Sequence, residues 1–201
     1  MQITPINRDG YEKVARCHDE DSGLVAFIAV HDTTLGPALG GMRLWPYESE
    51  DAALTDVLRL SRGMTFKSAV ARTGLGGGKS VIVASRDQKS PALFEAMGRF
   101  IDSFEGKYIT AEDVNVGVPD LQSVKKSTRW VTGLPREEGG SGNPSPYTAY
   151  GCYKGLLATA HEAFGSEDLT GKVISLQGPG SVGFELGRRC VERGAKLVVC
   201  D

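Results

Sequence analysis

Two lysines, Lys67 and Lys79, lie twelve residues apart with Gly74 and the run Gly76-Gly77-Gly78 between them. Met64 and Phe66 precede the first, and Val81-Ile82-Val83 follow the second. A lysine among apolar residues and glycines is partly desolvated. Desolvation or a nearby like charge lowers its pKa, and a lysine tuned in this way serves as a base near neutral pH. The plain alternatives are a solvated loop lysine, and glycines that supply positive φ for a hairpin. A phosphate-binding loop does not fit. Gly78-Lys79-Ser80 matches the end of that pattern, but the leading glycine belongs where Thr73 stands, and the segment enters an apolar, strand-like run instead of a helix.

A second glycine cluster, Gly178-Pro179-Gly180-Ser181-Val182-Gly183, has the spacing G-x-G-x-x-G. It follows an apolar stretch, residues 172–177, that reads as a strand, and it opens a helix to about Arg193. A further strand, 196–200, ends beside Asp201, 18 residues after Gly183. That context is the one a dinucleotide site requires. Glycines admit the pyrophosphate, the helix N-terminus favours its charge, and a carboxylate at the next strand end accepts from ribose hydroxyls. Gly178, Gly180, Ser181, Val182, Gly183 and Asp201 are therefore candidate cofactor residues. Asp201 disfavours a 2′-phosphate, which points to NAD over NADP.

The elements that must carry these groups read as follows. Residues 24–30 form a buried strand and 33–46 a loop. A helix follows Glu50-Asp51 with Leu54, Val57, Leu58 and Leu60 on one face, then a strand over Met64 to Val70 and another over Ser80 to Ala84. Ser90-Pro91 opens a helix whose Leu93, Met97, Phe100, Ile101 and Phe104 stripe is core. Residues 107–110 form a strand that delivers Ala111-Glu112-Asp113, and Pro119 to Lys126 form a short helix. Residues 133–146 are so rich in Gly, Pro and Ser that no regular element is expected there. The domain boundary is placed in this stretch, between 1–134 and 135–201, and a helix from about Tyr147 to Phe164 begins the second part.

Bulk properties exclude several classes. The 201 residues carry a net charge of −2 with 40% hydrophobic content, which favours neither nucleic acid nor a membrane surface as partner. No apolar run approaches the roughly 18 residues of a membrane span. The N-terminus lacks a signal-peptide pattern. Cys17, Cys152, Cys190 and Cys200 show neither metal-ligand nor disulfide spacing, so reduced thiols, no metal and a cytoplasmic protein are expected. A 2-hydroxy-acid dehydrogenase would want a His–carboxylate pair, and His18, His31 and His161 sit in no such constellation.

The segments Gly36-Pro37-Ala38-Leu39-Gly40-Gly41-Met42-Arg43, Gly63-Met64-Thr65-Phe66-Lys67, Gly76-Gly77-Gly78-Lys79 and Thr110-Ala111-Glu112-Asp113-Val114 occur in an order that resembles the glutamate/leucine/phenylalanine/valine dehydrogenase family, nearest its leucine dehydrogenase branch, from about His31 to Asp201. The resemblance implies an α/β, two-domain amino-acid dehydrogenase: a complete N-terminal substrate and oligomerisation domain, then a linker helix and the first part of a Rossmann domain. It implies NAD-dependent oxidative deamination of an apolar L-amino acid, with leucine, valine or isoleucine ahead of phenylalanine, by a homo-oligomer. By position, Lys67 is the cation for the substrate carboxylate, Lys79 the general base, and Asp113 the group that assists proton transfer at the amine. Asp113 also suits a helix N-cap. Leu39, Gly40, Gly41 and Ala111 match positions near the substrate side chain, and Thr148 one near the nicotinamide. The lysine without a carboxylate partner is expected to be the base. One departure is Asn115-Val116-Gly117, where leucine dehydrogenases usually continue Gly-Thr-Thr. A complete doubly wound fold has about six strands, and this sequence supplies only the first βαβ unit. It is expected to be either the front part of a longer enzyme or a shortened, non-catalytic relative used in assembly or regulation.

Overall fold

A computed structural model describes residues 1–201. The chain divides into two compact units, Met1–Ser141 and Gly142–Asp201. In the first unit the elements are β1 (Gln2–Pro5), β2 (Lys13–Asp19), β3 (Leu24–Asp32), β4 (Ala38–Trp45), α1 (Glu50–Ala71), β5 (Gly76–Val83), α2 (Pro91–Asp102), β6 (Tyr108–Glu112) and α3 (Val118–Lys125). The strands form one mixed sheet in the order β1-β2-β3-β5-β4-β6. β1, β2, β3 and β5 pair antiparallel, while β5-β4 and β4-β6 are parallel.

Both faces of the sheet are covered. On one, α1 lays Ala53, Leu54 and Val57 against Val14, Phe27, Ala29 and Val81. On the other, Leu93, Phe94, Met97, Phe100 and Ile101 of α2 pack on Ile28, Met42, Leu44 and Ile82. The expected helix start at Ser90 is present, with the Ser90 hydroxyl accepting from the Leu93 N–H at 3.2 Å and Pro91 in the first turn.

Two expectations and one of the plain alternatives give way here. Met64 to Val70 is not a strand but the second half of α1, which runs 22 residues from the Ser49 cap to Arg72 in the left-handed region, φ 52°. Its inward positions continue the helical spacing as Ser61, Thr65 and Ser68, small polar residues that hide the period from a hydrophobicity reading. Residues 33–46 are not all loop, since β4 occupies 38–45 in the middle of the parallel part. Gly76-Gly77-Gly78 do not form a turn. They lie within β5 and are buried.

The long helix and the buried glycines share one cause. A Cβ at Gly77 would collide with the Thr65 side chain and backbone and lie 2.6 Å from the Ser61 carbonyl oxygen, so the glycine lets α1 settle directly on the strand. Gly77→Ala is expected to destabilise the protein by about 2 kcal/mol. Gly63, exposed on the same helix with nothing near its Cβ direction, is the control: Gly63→Ala should gain roughly 0.5 kcal/mol. Urea midpoints check both, and an unchanged midpoint for Gly77→Ala would refute the close-packing explanation.

The second unit comprises α4 (Ser145–Phe164), β7 (Val173–Gln177), α5 (Ser181–Glu192) and β8 (Lys196–Cys200). Its parallel β7–β8 pair and helices enclose Tyr153, Leu157, Ala160, Leu169, Cys190 and Ala195. The stretch read as irregular holds one short 3-10 turn, Arg136–Glu138, and α4 begins at Ser145, two residues earlier than expected. No helix is long and apolar enough to cross a membrane.

Candidate active site

Lys79 sits in β5 opposite Ala29 of β3, on the face that α1 covers. Only 4% of it is exposed. Its ammonium reaches across the intervening strand β4 to the turn after β6, where Nζ lies 3.0 Å from Asp113 Oδ1. The crossing passes β4 near Gly41, where a Cβ would come 2.8 Å from the Asp113 Cβ. Gly40 has the same kind of duty, because a side chain there would run into the Gly78 carbonyl. The room these two glycines leave is filled by neighbouring backbone. Leu39 and Ala111, both half-buried, stand beside them in register with Gly77 and Gly41 respectively.

Asp113 is held from both sides. Its Oδ2 accepts from Arg43 Nε at 2.9 Å, while Oδ1 faces Lys79. Arg43 Nη1 in turn donates to Asp56 Oδ2 at 2.9 Å, and the Tyr47 hydroxyl donates to the same oxygen at 2.6 Å. The turn that carries Asp113 is itself fixed. The Val116 N–H donates to the Asp113 carbonyl at 3.0 Å, and Asn115 Nδ2 donates to the Leu44 carbonyl at 2.9 Å. Asn115 has φ 61°, a left-handed conformation open chiefly to Gly and Asn. Asn is one of the few residues that adopt this conformation readily, so the departure at Asn115 is compatible with the turn.

The electrostatics follow from burial and this bracing. Burial pulls the Lys79 ammonium below the ordinary lysine value. Asp113 opposes that effect and Arg43 adds to it. Burial pushes the Asp113 carboxyl upward, but Lys79 and Arg43 outweigh it and hold the group below the usual carboxylate range. This reverses one expectation: Lys79 is the lysine with a carboxylate partner, and desolvation with Arg43, not Lys67, lowers its proton affinity. The N-cap alternative for Asp113 also falls, since Gly117 caps α3 and its N–H donates to Asp120 at 2.9 Å.

Lys67 lies on the solvent-exposed side of α1, not in a desolvated loop. It continues the row Asp56, Leu60, Met64 at helical spacing. Arg43, Asp56 and Tyr47 escaped the sequence reading. Arg43 lies inside a quoted motif, but no spacing rule ties it to Asp113, 70 residues on. Asp56 looks like an ordinary surface residue of an amphipathic helix.

In the second unit the glycine motif forms the expected strand–turn–helix. Gly178 has φ 81°, and a Cβ on Gly183 would collide with the Gly178 carbonyl. Gly180 caps α5, with Ser181, Val182 and Gly183 in its first turn. Gln177 pairs with Cys200, and the Gly178 N–H donates to the Cys200 carbonyl at 2.9 Å, which sets Asp201 beside the turn. This tight turn, the free helix N-terminus and the adjacent carboxylate fit a dinucleotide. Thr148 lies in the first turn of α4 and donates to the Pro144 carbonyl at 3.1 Å.

Comparison with known proteins yields a consistent picture. Residues 11–131 match the family model described as Glu/Leu/Phe/Val dehydrogenase, dimerisation domain. The chain is 56% identical over 192 residues to leucine dehydrogenase of Geobacillus stearothermophilus, covering 95% of this chain and 52% of that protein. It is 46% identical over 202 aligned positions to phenylalanine dehydrogenase of Lysinibacillus sphaericus, covering 97% and 53%. Among solved structures, L-tryptophan dehydrogenase from Nostoc punctiforme superposes with a TM-score of 0.69 at 42% identity, covering 94% of this chain and 54% of that one. The chain thus spans about half the length of the relatives it matches.

Proposed function

The chain belongs to the Glu/Leu/Phe/Val dehydrogenase family, and from that premise we propose that the full protein carries out NAD-dependent oxidative deamination of an apolar L-amino acid, yielding the 2-oxo acid and ammonia. The observation that carries this reading is the buried Lys79, 3.0 Å from an Asp113 that Lys79 and Arg43 together hold ionised. The first unit takes the substrate and self-associates, and the second takes the cofactor through Gly178, Gly180, Ser181, Val182, Gly183 and Asp201, with Thr148 near the ring. When bound, the nicotinamide accepts the hydride from the substrate Cα.

The protein's own groups then divide the remaining work. Lys67, a cation on the α1 flank, binds the substrate carboxylate. Lys79 in its neutral form takes a proton from the water that adds to the iminium carbon, and its depressed proton affinity makes that form available below the ordinary lysine range. Asp113, ionised and fixed, faces the resulting ammonium. It takes a proton from the substrate α-ammonium before hydride transfer and returns it to the amine nitrogen as ammonia leaves. Leu39 and Ala111, with the buried Gly40 and Gly41 letting the backbone close up behind them, present an uncharged wall to the substrate side chain, and nothing cationic among them would recognise a second carboxylate. Glutamate is therefore disfavoured, and the higher identity to a leucine dehydrogenase (56%) than to a phenylalanine dehydrogenase (46%) puts branched aliphatic side chains ahead of aromatic ones.

Initial rates with L-leucine, L-valine, L-isoleucine, L-phenylalanine and L-glutamate, each with NAD and with NADP, test the proposal. The branched substrates with NAD should give the highest kcat/KM, with glutamate lower by at least about a hundredfold. A preference for glutamate, or for NADP, would refute it.

A further inference from the structure

The groups assigned to proton transfer, Lys79 and Asp113, are the inner half of a longer chain of contacts whose outer half has no assigned role. Tyr47 OH donates to Asp56 Oδ2 at 2.6 Å, Arg43 Nη1 donates to that same oxygen at 2.9 Å, and Arg43 Nε donates to Asp113 Oδ2 at 2.9 Å. Three separate segments supply these side chains: Arg43 from β4, Tyr47 from the connection after it, and Asp56 from α1. The guanidinium is a rigid planar fork. With one edge on Asp113 alone it could pivot. A second carboxylate on another nitrogen fixes its plane, and so fixes which Asp113 oxygen remains for Lys79.

Charge points the same way. Lys79, Asp113, Arg43 and Asp56 alternate in sign, so Asp56 neutralises the cation that would otherwise face the lysine ammonium uncompensated. Burial and the adjacent Asp56 push the Tyr47 phenol above its ordinary pKa, which keeps it a donor to that carboxylate. We propose that Asp56, held by Tyr47, is a positioning residue for the Lys79–Asp113 pair, acting through Arg43 by fixing the guanidinium across Asp113 and balancing its charge. This rests on the reading of Lys79 as the base.

The charged and titratable groups around Lys79 are Asp113 from the β6 turn, Arg43 from β4 and Asp56 from α1. β3 offers Ala29 opposite it and, further along, His31, which hydrogen-bonds Thr65 at 2.9 Å. Lys67 lies further along α1. Of these, Asp56 favours the charged lysine and Arg43 disfavours it.

The test uses the full natural protein with L-leucine and NAD, comparing wild type, Asp56→Asn, Tyr47→Phe and Lys79→Ala. A cavity of about 410 Å³ borders Asp56, Arg43 and Tyr47, so the Asn amide has solvent to bond. Asp56→Asn is expected to lower kcat by about tenfold or more through misplacement of the pair, with KM for the amino acid within about threefold of wild type. The ascending limb of its kcat–pH profile should move to lower pH, because loss of the anion disfavours the ammonium form. A purely structural role would reduce the amount of active protein and leave the limb in place. Tyr47→Phe keeps every charge and carries the test should Asp56→Asn fail to fold. It should lower kcat by about threefold to fivefold with the limb unmoved. Wild-type kcat and limb in these variants, alongside an inactive Lys79→Ala, would overturn the positioning role alone. Wild-type turnover by Lys79→Ala would overturn the base assignment beneath it.

Discussion

Lys79→Ala is expected to lower kcat for L-leucine oxidation by about a thousandfold, with the protein still folded. General acid–base groups are worth roughly a hundredfold to ten-thousandfold, and no other lysine of the first unit shares this burial. Folding should survive because Asp113 keeps Arg43 as partner at 2.9 Å, so the substitution removes a buried cation without stranding an anion. Truncation of the stem opens a cavity beside Val81 and Ala29, which costs about 2 kcal/mol. Substrate affinity should change far less than kcat, since the proposed function gives the substrate carboxylate to Lys67. Single-turnover rates separate the two effects. A mutant that turns over within about tenfold of wild type would remove Lys79 from the role of base.

Asp113→Asn is expected to combine a large kinetic effect with a large structural one. The amide cannot hold two cations, so Lys79 and Arg43 lose their shared anion in a site where Lys79 is 4% exposed. Breaking one partner of such a buried pair costs about 3 kcal/mol, to be read as a lower urea midpoint. The sign of the pH effect is fixed. Asp113 raises the proton affinity of Lys79, whereas burial and Arg43 lower it. Without the carboxylate the lysine loses its proton at a lower pH still. The ascending limb of kcat therefore moves to lower pH, while its plateau falls by about a hundredfold if Asp113 carries the proton as proposed. A plateau near wild type would confine Asp113 to a structural role.

The parts of this fold visible in the sequence are those whose signals are local. The Ser90-Pro91 start of α2, the apolar run of β3 and the strand–glycine turn–helix around Gly178 each follow from residues within a few positions. The failures lie where tertiary packing overrides local pattern. α1 continues through Met64–Val70 because Ser61, Thr65 and Ser68 are small enough to rest on a glycine strand, and the same glycines look like a turn when β5 is read alone. β1 and β2 carry too little apolar alternation to announce themselves. β1 is an exposed edge strand throughout. The candidate site shows the same division. Lys79 and Asp113 can be picked out by type and motif. Arg43, Asp56 and Tyr47 cannot, because what joins them is sheet register and the crossing of β4, and neither leaves a mark on spacing.

The most direct measurement is the titration of Lys79 itself, by NMR of isotope-labelled lysine in the full natural protein, with the resonance assigned by its absence in Lys79→Arg. The expected result is one lysine that loses its proton clearly below the ordinary lysine value and falls lower again in Asp113→Asn. A Lys79 that titrates together with the surface lysines, unaffected by Asp113→Asn, would contradict a desolvated, carboxylate-braced base at the centre of this site.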